Sequence, residues 1–382
     1  MLSYWEKQSL LQYDYIIIGS GIVGLSAAIS LKERAPQSRV MVLEREVLPT
    51  GASTKNAGFA CIGSLTEILA DLQTMSAEAV LNLVNLRLSG LRLLRRRLGD
   101  ERIAYRENGS FELIGTREEW ALHQIATVNN MLGNLFDGQP AFTRTDKQIA
   151  PFGFSPRHIK ALIRNNFEGE LHTGKMMRAL IDTAINMGVE IKTGCPVSHI
   201  DDFHTGVNVI VPHHTLKEDI VFTARKVLVC TNAFTKQLLP EEEVTPGRGQ
   251  VLITAPVKDL PFKGVFHLSE GYYYFRELDG RVLLGGGRQL DFAGETTTEF
   301  HFNDRIQHEL EQLLHTVILP GREATIADRW TGIMAFGKTK QPLVKAHSKN
   351  VVMGVRMGGM GVAIGSIVGD QIAMMAMDAA NN

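Results

Sequence analysis

The chain has 382 residues, of which 44% are hydrophobic and 21% charged, with a formal net charge of −1. This is an ordinary globular composition with length for about two domains. A near-neutral chain offers no field to gather nucleic acid or an anionic membrane, so small molecules are the expected partners. Cys61, Cys195 and Cys230 form an odd, widely spaced set with no CxxC pair. That argues against a disulfide framework and against a thiolate metal site, and it suits a reducing, cytoplasmic location.

The opening residues MLSYWEKQSLLQY lack a long apolar stretch and a small-residue cleavage site, so no signal peptide is expected. Residues 14–44 then read as an apolar strand, a glycine turn, a helix and a second strand that ends on Glu44. Gly19 permits the tight turn, Gly21 lets the backbone approach a pyrophosphate, and Gly24 lets the helix pack close to the sheet. The helix N-terminus turns its N–H groups and positive dipole end toward the phosphates. Glu44 is placed to accept from a ribose diol, and its charge repels a 2′-phosphate. This unit reads an ADP half and leaves FAD and NAD both open. Next, Gly51–Gly58 (GASTKNAG) is a loop of small and polar residues able to bring backbone N–H groups against a ligand.

Ser76–Leu98 has apolar residues at helical spacing and ends at Gly99. Its Arg92, Arg95, Arg96 and Arg97 suit the dipole of the last turns and read as a solvated face. Thr173–Gly188 is a further helix, followed by a strand at Val189–Lys192 and an apolar, parallel-type strand at Lys226–Cys230. From about residue 245 the pattern changes to period-two strands and tight turns. The clearest is a hairpin pairing Tyr272–Glu277 with Arg281–Gly286 around Asp279-Gly280. A helix near Asp304–Val317 leads to WTGIMAF at Trp330–Phe336 and to an apolar strand at Val351–Val355. The C-terminal run to Met377 is interrupted by glycines, Arg356 and Asp370, which makes it a poor membrane span. Its Gly354–Gly365 segment sets glycines at the start of the last helix, a place to stabilise negative charge on a bound group.

The expected fold is α/β: a Rossmann-like, discontinuous cofactor-binding domain at 1–75, 150–235 and 325–382, with an inserted, mostly antiparallel substrate domain at 76–149 and 236–324. Taken together, DYIIIGSGIVGLSAA, GASTKNAG, EGELHTGKMMRAL, VLVCTNA, PGRGQ, LLGGGR, WTGIMAF and GGMG resemble, in order, the D-amino acid oxidase-like family of FAD-dependent oxidoreductases. That group includes glycine oxidase, sarcosine oxidase and γ-glutamylputrescine oxidoreductase. The GASTKNAG loop and the Ser3-Tyr4-Trp5 start look most like the γ-glutamylputrescine branch, and PGRGQ more like the sarcosine and glycine oxidases.

The resemblance implies FAD with its ADP half on Gly19, Ser20, Gly21, Ile22 and Gly24, beside Glu44 and Arg45. It implies contacts to adenine and pyrophosphate from Val197 and from Thr231, Asn232 and Ala233. The isoalloxazine is expected between Gly51, Ala52, Ser53, Asn56, Ala57 and Gly58 on one side and Gly358, Gly359, Met360, Gly361 and Val362 on the other. Trp330 and Gly332 are expected beside it. Some relatives attach the flavin through a cysteine before the C-terminal glycine segment; residues 310–382 contain none, so noncovalent FAD is expected.

The implied activity is oxidation of an amine or amino acid to an imine by hydride transfer to flavin N5, followed by hydrolysis, with oxygen or another acceptor taking the electrons. The alternatives are a dehydrogenase with a non-oxygen acceptor and a non-catalytic flavin-binding protein. An amino-acid substrate needs a cation for its carboxylate, and Arg248, Arg288, Arg329 and Lys55 are the candidates. Relatives use a tyrosine on the strand matching GYYYFRE, where alternation sets Tyr272 and Tyr274 on one face and Tyr273 on the other. His172 matches a histidine of the γ-glutamylputrescine branch and is expected to cap its helix, and Cys61 is expected to be a small buried residue. GKTKQPLVK after WTGIMAF departs from the family pattern and weakens substrate inference in particular.

Overall fold

The protein, described here from a computed structural model over residues 2–213 and 218–378, contains two large sheets. The first has Gln12–Ile18 at its centre, parallel to Val40–Leu43 on one side and to Ile220–Val229 on the other. Glu190–Lys192 extends one edge in parallel, Val351–Val355 the other, and Leu343–Ala346 closes that edge antiparallel. Both faces of the central strand are covered, which is why it is almost wholly apolar. Ile17 packs into the helix layer while Ile16 and Ile18 face the opposite layer. An antiparallel pair, His199–Phe203 with Gly206–Val211, hangs on Ile220–Val229.

Helices Ile22–Arg34, Ala77–Leu98 and Gly361–Asp378 pack as a layer on the first sheet. Ala77–Leu98 starts on Ser76, whose side chain accepts from Ala79 N, and stops at Gly99. Its Gly90 lies so near the last helix that a Cβ there would stand 2.1 Å from Ala363 O. Arg97 is not solvated as the sequence suggests: its side chain is 5% exposed and bridges Glu33 and Asp370, tying three helices together. The reason is helix crossing, which brings carboxylates from two distant helices against this one turn.

The second sheet runs in the order Ile326–Phe336, Thr245–Thr254, Arg281–Gly286, Tyr273–Leu278, Val265–Leu268, Ser110–Ile114, Ala161–Asn165 and Phe142–Arg144. All its pairs are antiparallel except Val265–Leu268 with Ser110–Ile114. The expected hairpin is present, turning through positive φ at Asp279 and Gly280. Behind this sheet lies an aromatic core in which Phe266 and Phe275 stack at 4.6 Å between Phe111, Phe154 and Phe262. Two strands cross the expected domain division: Ala161–Asn165 and Ile326–Phe336 pair in the second sheet, whereas 150–235 and 325–382 were expected with the first. Helix Ala77–Leu98 crosses the other way, onto the last helix. Short apolar runs do not carry their sheet partner in their pattern.

Candidate active site

A cavity of about 700 Å³ lies between the two sheets, in the size range of ligand and cofactor sites. One wall is backbone. Gly19 leaves the central strand at φ +106°, and a Cβ on Gly24 would stand 1.9 Å from Gly19 O, so the helix rests directly on the turn. Gly21 opens the helix without a capping side chain, and Ser53 Oγ accepts from Ile22 N at 3.0 Å. Glu44 at the end of the second strand accepts from Ser20 N and Oγ at 3.1 and 2.6 Å. Arg45 lies over the Phe234 ring at 3.8 Å. Asn56 stitches its loop, donating to Ser53 O and accepting from Gly58 N and Thr173 Oγ1. Asn232 Oδ1 accepts from Arg356 N at 3.0 Å, holding the 231–233 turn to the C-terminal glycine segment.

The opposite wall is the inner face of the second sheet, and it is made of side chains. Tyr272 and Tyr274 line the cavity while Tyr273 belongs to the aromatic core. The Tyr274 ring lies flat across Gly285, where a Cβ would meet its hydroxyl at 2.6 Å. Arg288 is sandwiched between Phe336 at 3.9 Å and Phe292 at 4.8 Å. Burial pushes its guanidinium down from the usual range, and no carboxylate lies within ion-pair distance of it among the described residues. Lys340 reaches Asp71 at 2.6 Å and Glu67 at 3.4 Å. Burial opposes its charge, but the two carboxylates outweigh that and raise its pKa. Lys55 also lines the cavity, with its ammonium 5.4 Å from the Phe300 ring.

Of the residues expected at the cofactor, Gly19, Ser20, Gly21, Ile22, Glu44 and Arg45 line the cavity, as do Gly51, Ala52, Ser53, Asn56 and Ala57. So do Val197, Thr231, Asn232 and Ala233, with Gly332 and the stretch Gly358, Gly359, Met360, Gly361 and Val362. Gly24 and Gly58 do not; they serve close packing, Gly58 against Leu171 O. Trp330 is also absent from the lining, and its indole N–H donates to Lys55 O at 2.9 Å, bracing the loop from behind. Arg248 is a correction. It is 1% exposed and held by Glu295 through two bonds of 2.8 and 2.7 Å, a structural ion pair away from the cavity. Arg329 is likewise engaged, with Gln307 and Glu311. His172 caps its helix, Nδ1 accepting from Lys175 N.

Sequence reasoning missed His267, Glu67 and Asp71 on the cavity wall. A polar residue within the core strand VFHL was a signal for the first, and two acids four apart on the helix Leu65–Thr74 for the others. Lys338 and Lys340 also line it, in the segment GKTKQPLVK that departs from the family pattern.

The cavity fits FAD on its own geometry: a helix start opened by Gly21 and facing the cavity, glycines that let the turn and helix close on each other, and an acid at the end of the second strand where a ribose would lie. Fold and cavity together define a protein built to hold a dinucleotide cofactor between two sheets. The chain belongs to the DAO family, whose description, FAD dependent oxidoreductase, matches residues 14–375. Among solved structures it is similar to glycine oxidase from Geobacillus kaustophilus, with TM-score 0.75 and 19% identity over 96% of this chain and 95% of that one. It is similar to L-proline dehydrogenase from P. horikoshii, with TM-score 0.78 and 14% identity over 96% and 94%. Iminodiacetate oxidase from Chelativorans sp. BNC1 gives TM-score 0.74 and 20% identity over 95% of each chain. No curated protein matches the chain by sequence. No helix of the described residues is long and apolar enough to cross a membrane.

Proposed function

We propose that this FAD-dependent oxidoreductase oxidises an amino acid, with Arg288 receiving the substrate carboxylate. The observation that carries this is an unpaired guanidinium, fixed between two aromatic rings, on the wall opposite the cofactor cradle. A planar fork held in this way binds a carboxylate through two N–H groups and sets the orientation of the Cα–H. Tyr272 and Tyr274 flank the same space and offer hydroxyls to the substrate. Bound FAD supplies a two-electron acceptor at N5; the chain supplies orientation, exclusion of water and, at the start of Gly361–Asp378, charge stabilisation. The imine product hydrolyses to a carbonyl compound.

The names of the similar structures support the substrate class, since glycine, proline and iminodiacetate are all amino acids. The cofactor is held noncovalently, and its domain comprises the first sheet with its helices, while the second sheet forms the substrate domain. Three free thiols suit a cytoplasmic setting. Oxygen or another acceptor reoxidises the enzyme, and stopped-flow mixing of reduced protein with dissolved oxygen distinguishes the two. The reading itself is tested by anaerobic reduction of the bound flavin with a panel of amino acids and simple amines. Amino acids should bleach the flavin, and Arg288→Ala should raise the half-saturating concentration by about 100-fold, the loss of one charge-assisted contact of about 3 kcal/mol. Equal bleaching by the decarboxylated amines, untouched by Arg288→Ala, would remove the carboxylate from the account.

A further inference from the structure

His267 lies in the strand Val265–Leu268, whose other members are apolar, and it is 6% exposed. It lines the cavity, with the Phe59 ring set edge-on against it at 5.3 Å. Among the described residues its Nε2 has no hydrogen-bond partner, and it lies 3.9 Å from Glu168 Oε2. Glu168 is completely buried. Its Oε1 accepts from the amides of Ile62 and Gly63 at 2.6 and 2.9 Å, and its Oε2 from the Ser110 hydroxyl. Among the described residues no lysine or arginine comes within ion-pair distance of it, so His267 is the one group beside it able to carry positive charge. A carboxylate buried in this way is costly unless a charge of opposite sign can form next to it.

The other titratable groups around the ring are accounted for. Glu67, from the helix Leu65–Thr74, is paired with Arg87 and Lys340. Glu112, in register with His267 on the neighbouring strand, accepts from Ser64 and Thr66, and burial pushes it up to about 7. The Cys61 thiol is held far above its ordinary range by burial and by the Glu168 charge. Tyr274, the partner on the other side, is pushed up to about 12 by burial. The acids and the phenol around the ring are thus paired or hold their protons, which leaves an imidazole nitrogen as the proton acceptor on this wall.

An amino acid arrives as an ammonium, which must lose a proton before its C–H can be delivered as hydride. We infer that His267 accepts that proton, with Glu168 as the positioning residue that stabilises the resulting imidazolium. The substrate N–H bond breaks, an N–H bond forms at the other ring nitrogen, Nδ1, while Nε2 faces Glu168, the positive charge moves from substrate to histidine, and no electrons are transferred in this step. The inference rests on the amine-oxidising reading above. Spacing of 3.9 Å is long for a hydrogen bond, as catalytic contacts commonly are before substrate binds.

The test is the pH dependence of anaerobic flavin reduction by a reactive amino acid, in the wild type and in His267→Gln, both loaded with FAD. The variant should be about 100-fold slower near pH 7 and within about threefold near pH 10, where the ammonium loses its proton to water unaided. A defect of equal size at both pH values, or no defect, would overturn the proposal, since a packing role does not follow substrate ionisation. If His267→Gln does not retain FAD, the wild-type profile decides. Reduction at saturating substrate that is level from about pH 9 to about pH 7 supports the histidine, and a fall of about tenfold per pH unit across that range overturns it. A wild-type flavin that no amine reduces at any pH defeats the amine-oxidising reading itself, and the proton transfer with it.

Discussion

The two walls of the cavity solve the same problem with different materials. The wall from the first sheet binds through backbone: Gly19, Gly21 and the C-terminal glycines present amides and helix ends, and Glu44 is tied to the turn it serves. The wall from the second sheet works through side chains, with Arg288, Lys340, His267 and two buried carboxyls held in or behind apolar surface. A backbone wall recognises what every dinucleotide has in common and has few groups that titrate. A side-chain wall can be specific for a substrate, but it must desolvate charges and compensate each of them. The division teaches where to expect tolerance: volume matters on the first wall, charge balance on the second.

The largest expected effect tests whether a buried charge behind the second wall is purely structural. Arg248→Ala leaves Glu295 at 0% exposure with Gln250 and Asn303 but no cation, and should cost about 3–5 kcal/mol in urea melts. Replacing both partners together with apolar residues of similar size should recover most of that. In the folded fraction of either protein, FAD affinity and the half-saturating substrate concentration should stay within about twofold of wild type. A substrate defect larger than the stability loss would return Arg248 to the site and blur the contrast between the walls.

On the backbone wall, Gly24→Ala sets a methyl group 1.9 Å from Gly19 O and 3.1 Å from Ile17 Cγ2. The helix must withdraw from the turn, and its N-terminus moves away from the cofactor. Overpacking of this kind costs about 1–3 kcal/mol of stability, and a displaced helix start that forfeits one charge-assisted contact of about 1.5–3 kcal/mol to the pyrophosphate should weaken FAD binding by roughly 10- to 100-fold. Flavin fluorescence titration measures it. Retention of FAD at wild-type affinity would mean that the helix does not need its close seat on the strand.

The same contrast governs what could be read before the structure was known. Gly19, Gly21, Gly24 and Glu44 fall within one strand, helix and strand, so their spacing carries their geometry, and the Asp279-Gly280 hairpin and the caps of Ala77–Leu98 are local in the same way. The side-chain wall is assembled from residues far apart in the chain. Nothing in the neighbourhood of Arg248 distinguishes it from Arg288; only the fold brings Glu295 to one and leaves the other facing the cavity. His267 and Glu168 likewise come together only because Val265–Leu268 lies parallel to Ser110–Ile114, which in turn pairs with Ala161–Asn165. Those last two pairings also explain why Ala161–Asn165 fell on the wrong side of the expected domain boundary.

The effect of pH carries the sign that separates the walls. Burial pushes the Glu112 carboxyl up to about 7, against hydrogen bonds from Thr66 and Ser64 that pull it back. In the unfolded chain a glutamate titrates near about 4.3. Between those values the folded protein keeps a proton that the unfolded chain releases, so the folded state binds more protons and stability must fall as pH rises through the window. Below it both states are protonated and the group contributes nothing; above it the loss is complete, at about 3–4 kcal/mol. Glu112→Gln keeps an acceptor for Thr66 and Ser64 but cannot ionise. Its stability should match the wild type near pH 4 and exceed it by about 3 kcal/mol near pH 8, as read from urea melts at each pH. Gly24→Ala, by contrast, should shift the melting curve by a similar amount at every pH, because nothing that titrates has changed on that wall. If the Glu112→Gln and wild-type curves ran parallel instead, the second wall would be holding its carboxyl ionised at no cost, and the contrast in materials would no longer be one of charge balance.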